Sequence, residues 1–77
     1  MNQNILKTLG KTIKDRRIEL DLSQEEVGFL SGVHRTTISL VELGKLDIRF
    51  ESLYKIITSL KMDRTHLEKI FLMTQTK

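Results

Sequence analysis

The sequence predicts an all-α fold, a compact bundle of five helices, and three observations support this. Apolar residues recur at the three- and four-residue spacing of a helix in several segments. Helix-capping residues and glycines separate these segments. The chain of 77 residues has no proline and no tryptophan, and its β-like runs are short. We therefore expect a single domain over residues 1–77, with its core at about 5–73.

Helix 1 is predicted from Ile5 to Leu20, with Asn4 as its candidate cap. Adjacent helical residues point in different directions, so Arg16 and Arg17 cannot share one environment. We assign Arg17 to the interior and Arg16 to the surface. Three lysines on another side are interpreted as a solvated face rather than a binding surface: Lys7, Lys11 and Lys14. The apolar side carries Ile5, Leu6, Leu9, Ile13 and Leu20.

Helix 2 begins after Ser23, because Ser23 and Glu26 have the spacing of a capping box. Val27 and Leu30 are predicted to point inward, three residues apart on one face. Gly32 can adopt the positive φ that a sharp corner needs. The helix should therefore end in a tight turn.

Helix 3 is predicted from Arg35 to Leu43, with His34 as a weak cap and Gly44 just beyond its end. Ile38 and Val41 point to one side, where they would join the core. The opposite side carries hydroxyls and leucines where a solvated helix would be charged: Thr36, Ser39, Leu40 and Leu43. Glu42 lies beside the inward side, and a buried carboxylate needs a partner, for which Arg17 is the candidate.

Helix 4 is predicted from Phe50 to Lys61, with Tyr54 at the rim of the core. Asp63 would cap helix 5, from Arg64 to Met73. Leu72 lies off the core stripe of helix 5, which indicates a second buried surface. The core stripe of helix 4 consists of Phe50, Leu53, Ile56, Ile57 and Leu60.

Composition limits the function classes. The net charge of +3 permits nucleic-acid binding but does not demand it. Cysteine is absent, which excludes disulfides and thiolate metal sites, and two histidines are too few for a convincing metal site. There is no apolar run of membrane-spanning length, no signal-peptide pattern and no catalytic arrangement. We expect a cytoplasmic protein that is not an enzyme and needs no cofactor or metal.

Six positions from helix 2 to the end of helix 3 carry a resemblance to a known family. They are Gln24, Gly28, Gly32, Ile38, Val41 and Glu42. With these residues the chain resembles the XRE/Cro/phage-repressor helix-turn-helix family over about Ile5 to Phe71. The run 35–39 is also similar to the recognition helix of short restriction–modification controller proteins. The resemblance implies a phage-repressor-type bundle whose helix-turn-helix is formed by helices 2 and 3.

The resemblance also implies roles for individual residues. The residues matching base-contacting positions are Arg35, Thr36, Ser39 and Leu40. Those expected on the DNA backbone are Gln24, Thr37, Lys45 and Arg49. His34 is interpreted either as a cap or surface residue or as a further backbone contact. Arg17 and Glu42 match a buried structural ion pair. Two departures are Asp21, where many relatives have glycine, and Leu40, where many have a polar residue. Leu40 suggests contact with a thymine methyl group.

These expectations favour a sequence-specific transcriptional regulator that binds a pseudo-palindromic operator as a homodimer. It would be a restriction–modification controller or a phage-type repressor, and both activation and repression fit. The dimer interface would come from Met62, Ile70, Leu72 and Met73. The alternative is an antitoxin-type module that binds a partner protein and its own promoter. The expected partners are double-stranded operator DNA and a second copy of the chain, and the candidate protein partners are RNA polymerase and a toxin.

Overall fold

A computed structural model describes residues 3–68 of the chain, with side chains from residue 4 onward. Four helices are complete: α1 (Gln3–Glu19), α2 (Gln24–Ser31), α3 (Arg35–Glu42) and α4 (Phe50–Ser59). A fifth helical segment, α5, covers 64–68. The prediction of an all-helical bundle of five helices is confirmed. No helix within residues 3–68 is long and apolar enough to cross a membrane.

α1 starts two residues earlier than predicted, so Asn4 lies inside the helix and is not its cap. After α1, Asp21 adopts a left-handed φ of 59°, the conformation that glycine would adopt more easily. The amide of Leu22 donates to the carbonyl oxygen of Arg17 at 3.0 Å and closes the turn. The departure at Asp21 is therefore accommodated without losing the turn.

α2 begins with the capping box that the sequence predicts. The amide of Glu26 donates to Ser23 Oγ at 3.0 Å, and the amide of Ser23 donates to Glu26 Oε1 at 2.7 Å. Gly32 ends the helix with a φ of 75°, and its amide donates to the carbonyl oxygen of Gly28 at 2.9 Å. The sharp corner between α2 and α3 is thus made by the residue predicted to make it.

α3 is capped by His34, whose Nδ1 accepts a hydrogen bond from the amide of Thr36 at 3.1 Å. The helix ends at Glu42, one residue earlier than predicted. Gly44 then turns the chain with a φ of 71°, and the amide of Lys45 donates to the carbonyl oxygen of Leu40. Local hydrogen bonds therefore fix both ends of the short helix.

The core lies where α1, α2, α3 and α4 converge. α3 packs against α1 and α2, and α4 packs against α2. One side of α3 is consequently held by two neighbouring helices, while no element within residues 3–68 covers its other side. The buried apolar residues of the described chain are Leu9, Ile13, Val27, Val33, Ile38, Val41, Ile48, Ile56 and Leu60.

Gly10 allows α1 to cross closely over the end of α3. A Cβ atom at Gly10 would overlap the carbonyl oxygen of Val41 and lie 2.8 Å from that of Glu42. At Gly28, a Cβ atom would lie 2.8 Å from the carbonyl oxygen of Val33. These neighbours are backbone atoms, so the contacts cannot be relieved by a change of rotamer. Both glycines are required by packing rather than by their φ angles.

The inward position predicted for Leu30 is wrong, since its side chain is 55% exposed. The buried residues of α2 are Val27 and Ser31, which are four residues apart. The inner line of the helix therefore runs through Ser31, and Leu30 lies on its flank.

The core position predicted for Phe50 is also wrong, because this side chain is 79% exposed. Phe50 is the first residue of α4 and lies three residues before Leu53. It continues the inner stripe of the helix beyond the edge of the core. Tyr54 is 59% exposed rather than at the core rim, and its ring stacks on Phe50 with centroids 6.3 Å apart. α4 ends at Ser59, two residues before the predicted end.

Arg16 was predicted to lie on the surface, but its side chain is only 18% exposed. Its Nε donates to the carbonyl oxygen of Leu60 at 2.9 Å, and its Nη2 donates to that of Lys61 at 3.2 Å. A cation at a helix C-terminus satisfies carbonyls that have no partner within the helix. Arg16 thereby joins the end of α4 to α1, 44 positions away along the chain.

Asp63 caps α5, as predicted: its Oδ1 accepts from the amide of Thr65 at 2.9 Å. The pKa of Asp63 is lowered below its ordinary value, mainly by the hydrogen bond that its carboxylate accepts from the backbone amide of His66.

Met62, from the predicted dimer interface, packs partly buried against the core of its own chain. The other predicted interface residues, Ile70, Leu72 and Met73, lie outside the described residues.

Candidate nucleic-acid interface

The outer side of α3 carries the residues expected to contact bases. Arg35 and Thr36 are exposed, Ser39 is half-buried, and Leu40 is 36% exposed. Leu43, just beyond the helix, is 57% exposed on the same side. Because the inner side is occupied by Ile38 and Val41, this outer side is the one that α3 can present to another molecule.

Two residues expected on the DNA backbone flank the start of α3. His34 is exposed, and Thr37 is half-buried. The cap hydrogen bond to Thr36 holds the imidazole of His34 by its Nδ1 atom, so Nδ1 is the acceptor in this structure. The other ring nitrogen is the atom that this arrangement leaves available to a ligand.

Lys45 and Arg49 lie in the segment between α3 and α4, and both are exposed. Arg49 is also the residue immediately before α4, although its side chain makes no cap hydrogen bond. The segment that follows α3 therefore offers two exposed cations. Electrostatic attraction to phosphates needs such charges at the surface, without any particular base sequence.

The ion pair expected between Arg17 and Glu42 is present and has two contacts. Arg17 Nε donates to Glu42 Oε2 at 2.7 Å, and Arg17 Nη2 donates to Glu42 Oε1 at 3.0 Å. The side chains are 12% and 2% exposed. The hydrogen bond to Glu42 raises the pKa of Arg17 above its ordinary value, against the opposing effect of burial. Arg17 Nη1 also donates to the carbonyl oxygen of Leu22 at 2.9 Å.

Gln24 joins this pair through a contact that sequence reasoning missed. Its Nε2 donates to Glu42 Oε1 at 3.0 Å. The carboxylate of Glu42 thus accepts three hydrogen bonds, from α1 and from the first residue of α2. A signal was available, since a buried carboxylate has more acceptor sites than one arginine fills. The spacing alone does not say which neighbour supplies the additional donor.

Glu42 consequently connects three helices at one point. Arg17 belongs to α1, Gln24 to α2 and Glu42 to α3. The connection fixes how the start of α2 lies against the end of α3. If both helices contact DNA, the position of α2 relative to α3 determines the distance between the residues that contact the DNA backbone and those that contact bases.

Two short helices joined at a left-handed glycine, with the second helix exposed along its outer side, define a DNA-binding class of protein, the helix-turn-helix proteins. The family model described as helix-turn-helix matches residues 13–67, which is more than half of the chain. The chain belongs to the XRE-type helix-turn-helix family and is a DNA-binding regulator of that type. No curated protein matches the chain.

Proposed function

We propose that this protein is a sequence-specific transcriptional regulator that binds a pseudo-palindromic operator as a homodimer. The observation that carries the proposal is the two-sided character of α3. Its inner side is locked by α1 and α2, while Arg35, Thr36 and Leu40 remain uncovered. The uncovered side has the length and shape of an element that fits a major groove.

Arg35 is proposed as the main source of specificity. A guanidinium can donate two parallel hydrogen bonds to the acceptors of guanine, and a good pair of this kind discriminates by about 1–3 kcal/mol. Thr36 and Ser39 have hydroxyls that can bond to a base or to the backbone. Leu40 offers only an apolar contact, for which the methyl group of thymine is the complement.

Five residues are proposed to hold the DNA backbone and to set the position of α3 on the duplex. Such contacts add affinity for any sequence and supply no discrimination. They are Gln24, His34, Thr37, Lys45 and Arg49. Their side chains are exposed or half-buried, and they lie at the start of α2, at the start of α3 and in the segment between α3 and α4.

A homodimer is proposed because one short helix reads too few base pairs for useful selectivity. A two-fold dimer places two recognition helices about 34 Å apart, which corresponds to one turn of the duplex. The interface is proposed to involve α5 and the residues that follow it, namely Met62, Ile70, Leu72 and Met73. Because Met62 already packs on its own core, it would contribute little area.

Selection of bound sites from a random duplex pool tests the proposed function directly. The expected result is an inverted repeat whose half-sites are centred about one helical turn apart. Sedimentation with the selected duplex should then give two chains per site. Failure to enrich any sequence, with equal binding to random duplex, would contradict sequence-specific regulation.

We propose on the resemblance at 35–39 that the regulated unit is a restriction–modification system or a phage-type operon in the cytoplasm.

The antitoxin-type alternative has one observation in its favour, an apolar surface on α2. Phe29 is 88% exposed and Leu30 is 55% exposed, and they line a groove with Leu22. Glu25 and Glu26 border the same groove. A protein partner would bury this surface, whereas binding to DNA through α3 would not require it. Phe29→Ser should leave operator binding intact, and if it also leaves regulation in cells unchanged, this alternative loses its support.

A further inference from the structure

The side chain of Gln24 is hydrogen-bonded to the buried carboxylate of Glu42. It is the first residue of α2 and is half-buried, and its Nε2 lies 3.0 Å from Glu42 Oε1. The Glu42 side chain is 2% exposed, so the acceptor itself is out of reach of a ligand. The amide of Gln24 is therefore the outermost member of a hydrogen-bonded chain that runs from Arg17 through Glu42.

The chemistry of a carboxamide determines what remains available on Gln24. An amide nitrogen carries two N–H donors that diverge in the amide plane, and its oxygen is an acceptor. One donor is directed to Glu42, and among residues 3–68 no other hydrogen bond of this side chain is found. Its second N–H is therefore not taken up by Glu42 or by another hydrogen bond within residues 3–68, and the residue is partly exposed.

The charges around Glu42 favour an anion next to Gln24. A lone buried carboxylate would repel a phosphate, but the two-point contact with Arg17 balances its charge. The Gln24 amide is thus hydrogen-bonded to an ion pair without net charge, and its second N–H remains available to a ligand.

We propose that Glu42 is a positioning residue for DNA binding, because its carboxylate holds the Gln24 amide so that the second N–H meets a backbone phosphate. The inference rests on the proposed function and adds a role for a residue that does not touch DNA. Without this support, Gln24 would have to be ordered during binding. Ordering one such side chain reduces affinity about 3- to 10-fold.

The test removes the support of Gln24 while leaving the core filled. The variant is Arg17→Met/Glu42→Leu, since replacing both members of a buried ion pair by apolar residues of similar size often preserves stability. It is prepared with Gln24 and with Gln24→Ala, and binding to a random duplex is measured at low salt. Circular dichroism identifies a temperature at which every variant is folded. Arg17→Lys is the matched control, because it alters the ion pair but leaves the acceptor of Gln24.

The expected result is non-additive. With Gln24 present, Arg17→Met/Glu42→Leu should lower affinity about 3- to 10-fold, and with Gln24→Ala it should cause no further loss. Arg17→Lys should bind within about twofold of the native protein. Equal losses in both Gln24 backgrounds would show that Glu42 acts through packing alone and would overturn the inference. So would the absence of any loss.

A second measurement reports on the phosphate itself. Duplexes are made in which a single phosphate is replaced by a neutral methylphosphonate, one position at a time. One position should weaken binding of the native protein and have no effect on Gln24→Ala or on Arg17→Met/Glu42→Leu. If the double variant does not fold, Glu42→Asp serves instead, since it keeps the charge and withdraws the acceptor by one methylene. Persistence of the sensitive position in the variant used would overturn the inference.

The outcomes separate this inference from the proposed function. A native protein that binds no duplex under any condition overturns both. A native protein that binds duplex and selects an operator, but whose variants show independent effects of Gln24 and Glu42, overturns only the positioning role.

Discussion

On the inner side of α3, Ile38 and Val41 are 0% and 2% exposed, whereas on the outer side Leu40 and Leu43 are 36% and 57% exposed. Both sides contain aliphatic residues, so the difference in exposure does not follow from residue type alone. The difference comes from the neighbours, because α1 and α2 cover one side and no described element covers the other. Changes on the inner side should therefore affect folding, and changes on the outer side should affect DNA binding alone.

The largest expected effect is on the inner side, at Glu42. Glu42→Ala leaves the Arg17 guanidinium buried without its partner, which should lower the free energy of unfolding by about 3–5 kcal/mol. Urea unfolding followed by circular dichroism measures this. Lys11→Ala is the matched control, since its ion pair with Asp15 is exposed and should contribute almost nothing. Similar losses for both variants would show that burial does not decide the strength of these pairs.

Gly10→Ala is expected to be nearly as damaging. The new methyl group would collide with backbone carbonyls of Val41 and Glu42, so α1 would have to move away from α3 at a cost of about 3 kcal/mol. Gly32→Ala is the control, because a Cβ there meets nothing within 4 Å and only its φ of 75° is unfavourable. Its loss should be about 1 kcal/mol. A smaller loss at Gly10 than at Gly32 would contradict the close crossing of α1 over α3.

Arg35→Ala tests the outer side. The free energy of unfolding should stay unchanged, because Arg35 is exposed, while discrimination at one base pair should fall by about 1–3 kcal/mol. Competition binding with the selected operator and with its single-base variants measures the discrimination. An equal loss on operator and random duplex would assign Arg35 to the backbone instead.

Lys45→Ala should have a smaller and less selective effect. Loss of one phosphate contact should weaken all duplexes alike and reduce the slope of log K against log salt by about one unit. Binding to random duplex at several salt concentrations gives this slope. Lys14→Ala is the control, since Lys14 is exposed in α1 and is interpreted as part of a solvated face. A comparable change in slope for Lys14→Ala would place the lysines of α1 on DNA.

The smallest effect is expected at Asp63, away from both sides of α3. Its pKa is lower in the folded protein than its ordinary value of 3.8, so the ionised cap adds stability above that pH. This contribution should be lost as the pH falls through the lowered pKa. Asp63→Asn should therefore reduce the pH dependence of the urea midpoint below pH 3.8. An unchanged profile would show that this cap does not contribute to acid sensitivity.

In α3 and its surroundings, the features that could be predicted from the sequence are those that depend on residues close to one another in the chain. The inward position of Ile38, the corner at Gly32 and the capping box of Ser23 all depend on contacts within a few residues. The exposed position of Phe50 could not be predicted from its spacing, because periodicity assigns a side without saying how far a neighbouring helix extends. Gly10 offered a weak signal, since a glycine inside a helical pattern often has a packing reason.

The amino-acid sequence by itself determined the helical segments to within two residues, the caps Ser23, His34 and Asp63, the turn between α2 and α3, and the side of α3 that faces the core. These features follow from helical periodicity and from hydrogen bonds between near neighbours in the chain. Tertiary structure alone decided that Arg16 binds the end of α4 and that Gln24 completes the coordination of Glu42. Those contacts join residues 44 and 18 positions apart, so they exist only after packing has placed one helix beside another.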